Sequence, residues 1–220
     1  MKILLVGGGS GGHITPTLAV ATEIHNIEPT ASIGYVIGKG DALHDVVAGR
    51  DEITTVFSIH SGKLRRYHGE GIRQLFDFPT TLKNVRDLFF VGLGLLESLV
   101  LLRRERPDVI FVKGGFVGVP VGLAAAVLNI PYITHDSDAV PGLANRLIAK
   151  WAVAHAVAMP KEAYSYPKAK TYQTGVPVSD KYSLVTAEKQ STYKKELGLD
   201  PKNPVLFVTG GGLGAVRLND

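Results

Sequence analysis

The sequence predicts an α/β chain built on a doubly wound, parallel, Rossmann-like sheet. Three observations carry that prediction. Strand and helix patterns alternate along the chain with short connections. Several strand patterns are nearly unbroken apolar runs, as in Asp108-Val109-Ile110-Phe111-Val112, which suits a sheet covered on both faces. Two strand patterns end in glycine loops, Gly7 to Gly12 and Gly210 to Gly214, where sheets of this kind bind ligands.

Taken in order, Ile3-Leu4-Leu5-Val6 centres a first strand over 2–8, and the glycines stop it. Thr15 can cap, and Pro16 open, a helix over 16–27. A strand over 32–38 follows, then a short helical pattern at 41–49 and a strand at 53–59. Two helical patterns occupy 71–87 and 88–105. Strands at 108–113, 131–135, 154–159 and 171–174 alternate with helical patterns at 119–129 and 141–152. A polar stretch from Ser179 to Ser191 leads into a helix at 187–197 and an apolar strand at 204–209. One strand and one helix cannot build a parallel sheet. Residues 1–176 therefore read as one domain, and 177–220 as a linker and the truncated start of a second Rossmann-like domain.

Composition narrows the class. The chain is 45% hydrophobic and 20% charged, enough apolar content for a packed core. It has no cysteine, so disulfides and thiolate-ligated metals are excluded. Its start shows no secretory signal, making the cytoplasm the expected compartment. Between residues 60 and 106, nine cations face five carboxylates, which accounts for the whole net charge of +4. Within that stretch, residues 63–90 mix Arg65, Arg66 and Arg73 with Phe76 and Phe78, a pattern suited to an anionic membrane surface. The apolar run Leu88 to Leu102 is interrupted by Glu97 and is shorter than the ~20 residues a span needs. Residues 95–106 read instead as a buried core helix with a solvated arginine end. Nucleic acid is disfavoured, because the aromatics do not alternate with cations on a sheet face.

The first glycine loop carries the chemistry. Gly9, Ser10, Gly11 and Gly12 allow close backbone approach, and the helix behind them offers free N–H groups and a positive dipole end to a phosphate or diphosphate. His13 stands at the lip, as a proton acceptor, a phosphate contact or a loop-packing residue. His135 lies at a strand's carboxyl end, and Phe116 suits either the core or a ligand. His25, His44, His60, His68 and His155 form no constellation. Asp136 and Asp138 are too few for a metal cluster, and no cofactor is implied. Gly7-x-Gly9-x-x-Gly12 also matches a bare dinucleotide pattern, but the second strand ends Val36-Ile37-Gly38-Lys39 with no acid before Asp41. Lys39 could suit a 2′-phosphate, which keeps an NAD(P)-binding oxidoreductase as a third reading.

The run Gly7-Gly8-Gly9-Ser10-Gly11-Gly12-His13-Ile14-Thr15-Pro16-Thr17-Leu18-Ala19-Val20-Ala21 strongly resembles the first glycine loop of the MurG family. The resemblance continues through Pro107-Asp108-Val109, the segment Gly114 to Ala125 (with Phe116 where the family usually has tyrosine), Ile130-Pro131, His135-Asp136 and Gly142-Leu143-Ala144-Asn145-Arg146. The last glycine loop with Leu218-Asn219 is similar to the family's third glycine motif. The family's His-Glu-Gln-Asn reads His135-Asp136-Ser137-Asp138 here, its Asn-Pro-Val-Arg reads Val176-Pro177-Val178-Ser179, and its Ser-Gln reads Gly212-Leu213.

The resemblance implies a GT-B-like fold and an inverting hexosyltransferase of peptidoglycan synthesis. It would move N-acetylglucosamine from UDP-N-acetylglucosamine to a polyprenyl-diphosphate-linked muramyl-peptide acceptor, at the cytoplasmic face of the membrane as a peripheral protein. His13 would be the catalytic residue. Gly9, Ser10, Gly11, Gly12, His13, Gly114, Gly115 and Phe116 would hold the acceptor diphosphate. His135, Asp136 and Asp138 would contact sugar or acceptor, and Ser179, Gly211, Gly212, Leu213 and Gly214 the donor. Residues 1–220 alone are expected to be inactive. The alternative is a non-catalytic, membrane-recruiting acceptor subunit of a two-chain glycosyltransferase.

Overall fold

The computed structural model describes residues 1–63, 78–182 and 184–208, the side chains of Phe78 and Pro79 excepted. The chain divides into two compact units after Val178. The first holds one seven-stranded sheet: β1 (Lys2–Val6), β2 (Ser32–Gly38), β3 (Thr55–Ile59), β4 (Val109–Val112), β5 (Tyr132–Asp136), β6 (Ala154–Val157) and β7 (Thr171–Gln173). All pairings are parallel, in the order β3-β2-β1-β4-β5-β6-β7. The winding direction reverses between β1 and β4, the switch point where open α/β sheets form a crevice at the strands' carboxyl ends.

Alternation along each strand explains the unbroken apolar runs. Leu4 and Val6 of β1 join a cluster with Val36, Ile110, Val112, Leu101, Leu102, Val121 and Ala124. Ile3 and Leu5 join the opposite cluster with Ile33, Tyr35, Ile37, Ile14, Leu18 and Ala21. Strands β1 to β4 thus feed two cores, with period two. Helices α1 (Gly11–Ile27) and α2 (His44–Ala48) contribute to the second cluster through Ile14, Leu18 and Val47. Helices α3 (Phe78–Glu105) and α4 (Gly118–Leu128) cover the first. The short helix α5 (Leu143–Ile148) packs on α4 through Gly122, where an added Cβ would come 2.7 Å from Ile148 Cδ1.

Two helices depart from the sequence reading. Helix α1 starts at Gly11, and Ser10 is its extended N-cap residue without a side-chain cap bond, so Thr15 caps nothing and Pro16 lies inside the helix. The Ser10 carbonyl accepts from the N–H groups of His13 and Ile14, which opens the helix before the proline can. The patterns at 71–87 and 88–105 belong, over the described residues, to one helix, α3, of 28 residues. Its carboxyl-terminal half is one-sided: Ser98, Leu101 and Leu102 are buried, whereas Leu96 and Val100 are 61% and 66% exposed. Glu97 is turned to the body of the unit, accepting from Lys39 Nζ at 2.8 Å and from the His60 backbone N–H at 2.7 Å, so its charge clamps the helix rather than interrupting it.

The second unit, from Ser179 onward, contains α6 (Ala187–Glu196), capped by Thr186 Oγ1, which accepts from the Lys189 N–H. Residues 204–208 form no strand, contrary to the expectation for 204–209, and Leu206 and Phe207 are 90% and 82% exposed. A parallel strand needs a hydrogen-bonded neighbour, and the described residues of this unit offer none. Among the described residues, no helix is long and apolar enough to cross a membrane.

Candidate functional site

The carboxyl ends of β1, β4 and β5 meet at the switch point and enclose a cleft of about 440 Å³. Its walls include Ser10, Gly12 and His13 from the first glycine loop, and Lys113, Gly114 and Gly115 after β4. His135, Asp136, Ser137 and Asp138 come from the end of β5, and Gly142 and Asn145 from α5. The sequence folds this way because glycine meets special demands here. Gly9, Gly114 and Gly115 take φ values of +84°, +105° and +77°, and a Cβ on Gly115 would stand 2.9 Å from the Gly8 carbonyl oxygen.

The first loop is braced from outside. The Gly9 N–H donates to Asp41 Oδ2 at 2.6 Å, while Asp41 Oδ1 accepts from the Leu43 N–H at 3.0 Å. Phe116 lies against Gly9 and Gly38, packing under the loop rather than lining the cleft. Gly9 therefore spends its donor on the fold. Among the described residues, the backbone N–H groups of Ser10, Gly11 and Gly12 take no protein partner and open the α1 N-terminus. A Cβ on Gly11 would meet nothing within 4 Å, and one on Gly12 only Ser10 Oγ at 3.8 Å. The fold leaves this space open.

The side chains facing the loop divide into fixed and unpartnered groups. Asp136 is fixed: its carboxylate accepts from the Gly142 N–H at 3.0 Å and the Tyr166 hydroxyl at 2.8 Å. Tyr166 in turn stacks on His155, whose Nδ1 lies 2.7 Å from Thr134 Oγ1. Asn145 donates to the His135 carbonyl at 2.8 Å, and its Oδ1 is buried without a partner. His135 places Nε2 3.0 Å from the Gly175 carbonyl, where it donates, and leaves Nδ1 buried and unpartnered. The Nδ1 of His13 is likewise buried and without a partner.

Burial, and then the nearby Lys113 charge, hold His13 below the usual histidine range, against the weaker pull of Asp138 and Asp136. Burial also lowers His135, partly offset by the Gly175 bond. Lys113 is 3% exposed, its side chain makes no hydrogen bond or ion pair among the described residues, and burial lowers it against the weaker pull of Asp136 and Asp138. The arrangement offers a neutral imidazole beside free backbone donors and one buried lysine.

The structure therefore brings together Ser10, Gly12, His13, Gly114, Gly115, His135, Asp136 and Asp138 from the sequence-predicted set. Gly9 and Phe116 support the loop from behind. Ser179 lies in the second unit and bonds Asp180 and the Lys181 N–H. Gly211, Gly212, Leu213, Gly214, Arg65, Arg66, Arg73 and Phe76 lie outside the described residues, as does the Phe78 side chain. Sequence reasoning missed Lys113, Asn145, Tyr166 and the brace at Asp41. Lys113 had a readable signal, a cation closing the apolar strand Val109–Val112 just before two glycines. The hooks for a dinucleotide are occupied: Asp41 holds the loop, and Lys39 pairs with Glu97 at 2.8 Å. Among the described residues no cluster of His, Asp and Glu could hold a metal ion.

Residues 3–157 match the family model described as the glycosyltransferase family 28 N-terminal domain. The whole chain is 38% identical over 219 residues to a UDP-N-acetylglucosamine–N-acetylmuramyl-(pentapeptide) pyrophosphoryl-undecaprenol N-acetylglucosamine transferase of Bacillus thuringiensis, and spans 57% of that protein's length. A Clostridium botulinum protein of the same name is 36% identical over 222 residues, with 56% of its length spanned. The crystal structure of Acinetobacter baumannii MurG aligns with a TM-score of 0.68 at 20% identity, covering 99% of this chain and 55% of that one. A Neisseria meningitidis UDP-GlcNAc 2-epimerase aligns at 0.53 and 15% identity over 90% of this chain and 51% of its own. These structural likenesses concern the fold alone, which hosts different reactions.

Proposed function

The chain belongs to the glycosyltransferase family 28 amino-terminal domains, and we propose that it is the acceptor half of a MurG-type N-acetylglucosaminyltransferase. The acceptor is a polyprenyl-diphosphate-linked muramyl peptide, the donor is UDP-N-acetylglucosamine, and the product extends a peptidoglycan precursor. One observation carries this reading: the cleft sets free backbone donors of the α1 N-terminus beside the buried, unpartnered Nδ1 of a half-buried His13. An anion docks on the donors, and the imidazole takes a proton from the group that the anion positions.

In the reaction, the acceptor hydroxyl oxygen attacks the anomeric carbon of the donor sugar. The bond from that carbon to the diphosphate oxygen breaks, and UDP leaves with the electron pair. The hydroxyl proton passes to His13, which its surroundings keep neutral and hence able to accept it. His135, Asp136 and Asp138 face the acceptor sugar, with Asp136 preset by Tyr166 and Gly142. Donor contacts are assigned to Ser179, Gly211, Gly212, Leu213 and Gly214, and the boundary between the two functional units to residue 176. No metal takes part in this scheme, because helix N-termini supply the charge stabilisation.

Peripheral attachment to the cytoplasmic face of the membrane is assigned to α3 and the segment before it. Leu82, Val85 and Phe89 line one side of α3 and are 63%, 61% and 69% exposed, with Lys83 and Arg86 beside them. The test of the whole reading is acceptor binding. The chain should bind a short-chain polyprenyl-diphosphate muramyl acceptor in detergent and show no turnover with UDP-N-acetylglucosamine. Absence of acceptor binding by the folded chain would refute it.

A further inference from the structure

Resting on the reading of the cleft as an acceptor site, we propose that Lys113 is the cation that captures the acceptor's diphosphate against the first glycine loop. Strand alternation decides which face of the sheet residue 113 occupies. Phe111 packs on the α1 side of the sheet and Val112 on the α3–α4 side. Residue 113, whose N–H continues the ladder to the Val6 carbonyl at 3.0 Å, falls on the α1 side, where Ser10, Gly12 and His13 stand.

A lysine in that place is costly to the fold. Its side chain is buried, it lines the cleft, and it has no hydrogen bond or ion pair among the described residues. Asp136 and Asp138, whose charges reach it, form no ion pair with it, and Asp136 already serves Tyr166 and Gly142. A lysine kept for stability would be paired, since a buried cation without a partner is unfavourable. An apolar side chain would serve the strand end better. What Lys113 lacks is an anion, and the unpartnered N–H groups of Ser10, Gly11 and Gly12 at the helix N-terminus lack one too. A diphosphate satisfies both at once, with one phosphate on the helix terminus and the ammonium compensating its charge. Lys113 also lowers the proton affinity of His13, so an anion that offsets its charge strengthens the imidazole as a base when the acceptor arrives.

The diphosphate of a lipid acceptor and that of a nucleotide share this chemistry, and the experiment separates them. Farnesyl diphosphate and UDP are titrated calorimetrically into the chain and into its Lys113→Met and Lys113→Arg variants, at several salt concentrations. Lys113→Met should weaken farnesyl diphosphate by about tenfold or more and flatten the salt dependence, while Lys113→Arg keeps most of the affinity. The urea midpoint of Lys113→Met should stay level or rise, which a lysine with a structural role would not allow. The His13 ring should titrate at higher pH in Lys113→Met, as followed by NMR. Equal binding of farnesyl diphosphate by wild type and Lys113→Met overturns the proposal and leaves the acceptor reading standing. Dependence on Lys113 for UDP alone overturns it as well, in favour of a nucleotide. Failure of the wild type to bind farnesyl diphosphate removes the acceptor reading, and the proposal with it.

Discussion

Replacing Gly12 with alanine separates what the fold requires at the first glycine loop from what a ligand requires. Gly12 is the second residue of α1, its backbone lies outside the left-handed region, and an added Cβ meets only Ser10 Oγ at 3.8 Å, an ordinary contact. The free protein should therefore gain stability. Alanine restricts the unfolded chain and favours the helix, by about 0.4–1 kcal/mol together. For a protein of this size that raises Tm by roughly 1–4 °C. The same methyl stands in the cleft, where a phosphate oxygen must come within about 2.9 Å of a backbone N–H. It keeps the oxygen from the donors of Ser10 to Gly12, and losing one charge-assisted hydrogen bond of about 1.5–3 kcal/mol weakens binding roughly tenfold to a hundredfold. The assays are a thermal melt and calorimetry with farnesyl diphosphate. Gly122→Ala is the control: there the Cβ stands 2.7 Å from Ile148 Cδ1, and overpacking should cost about 1–3 kcal/mol. A Gly12→Ala protein that loses stability, or that binds the diphosphate as the wild type does, refutes the reasoning.

Tyr166→Phe keeps the stack on His155 but removes the donor to Asp136, and should cost about 1.5–3 kcal/mol in urea unfolding; a change below about 0.5 kcal/mol would mean that solvent replaces the hydroxyl. Acid should destabilise the chain at mild pH. His13, His135 and His155 are all lowered from 6.5, burial being the first cause in each. The unfolded state therefore binds more protons as pH falls through about 6.5, and stability drops from there downward. The carboxylate of Glu97 acts only at lower pH: its folded pKa lies below 4.5 because bonds from Lys39 and His60 outweigh burial, so its contribution is lost further down. A urea midpoint that stays flat between about pH 7.5 and 5.5 contradicts the histidine assignment. On α3, the triple replacement of Leu82, Val85 and Phe89 by serine should leave the exposed helix folded while cutting anionic-vesicle co-sedimentation by about tenfold or more. Undiminished binding would remove α3 from the membrane face.

The sheet was legible because its signal is periodic and local. Seven of the eight predicted strands pair, and β1 to β4 carry apolar residues on both core faces. The eighth, at 204–209, has the same apolar composition and forms no strand over 204–208, since composition reports a demand for neighbours and not their presence. Glycine positions showed where a loop must approach a ligand, but not which donors remain free once the loop closes. Gly9 looks equivalent to Gly12 in the sequence, yet Asp41, from the loop after β2, takes its N–H. The same blindness to long-range partners explains Glu97, which reads as an interruption on its helix and acts as a clamp across 37 residues. It also explains Tyr166, which reaches Asp136 across 30 residues. Lys113 is the reverse case. Nothing distant was needed to find it, only the question of why a cation ends an apolar strand at the switch point. The parts of the site that support a ligand were written as local exceptions to pattern, and the parts that hold those exceptions in place were written far away in the chain.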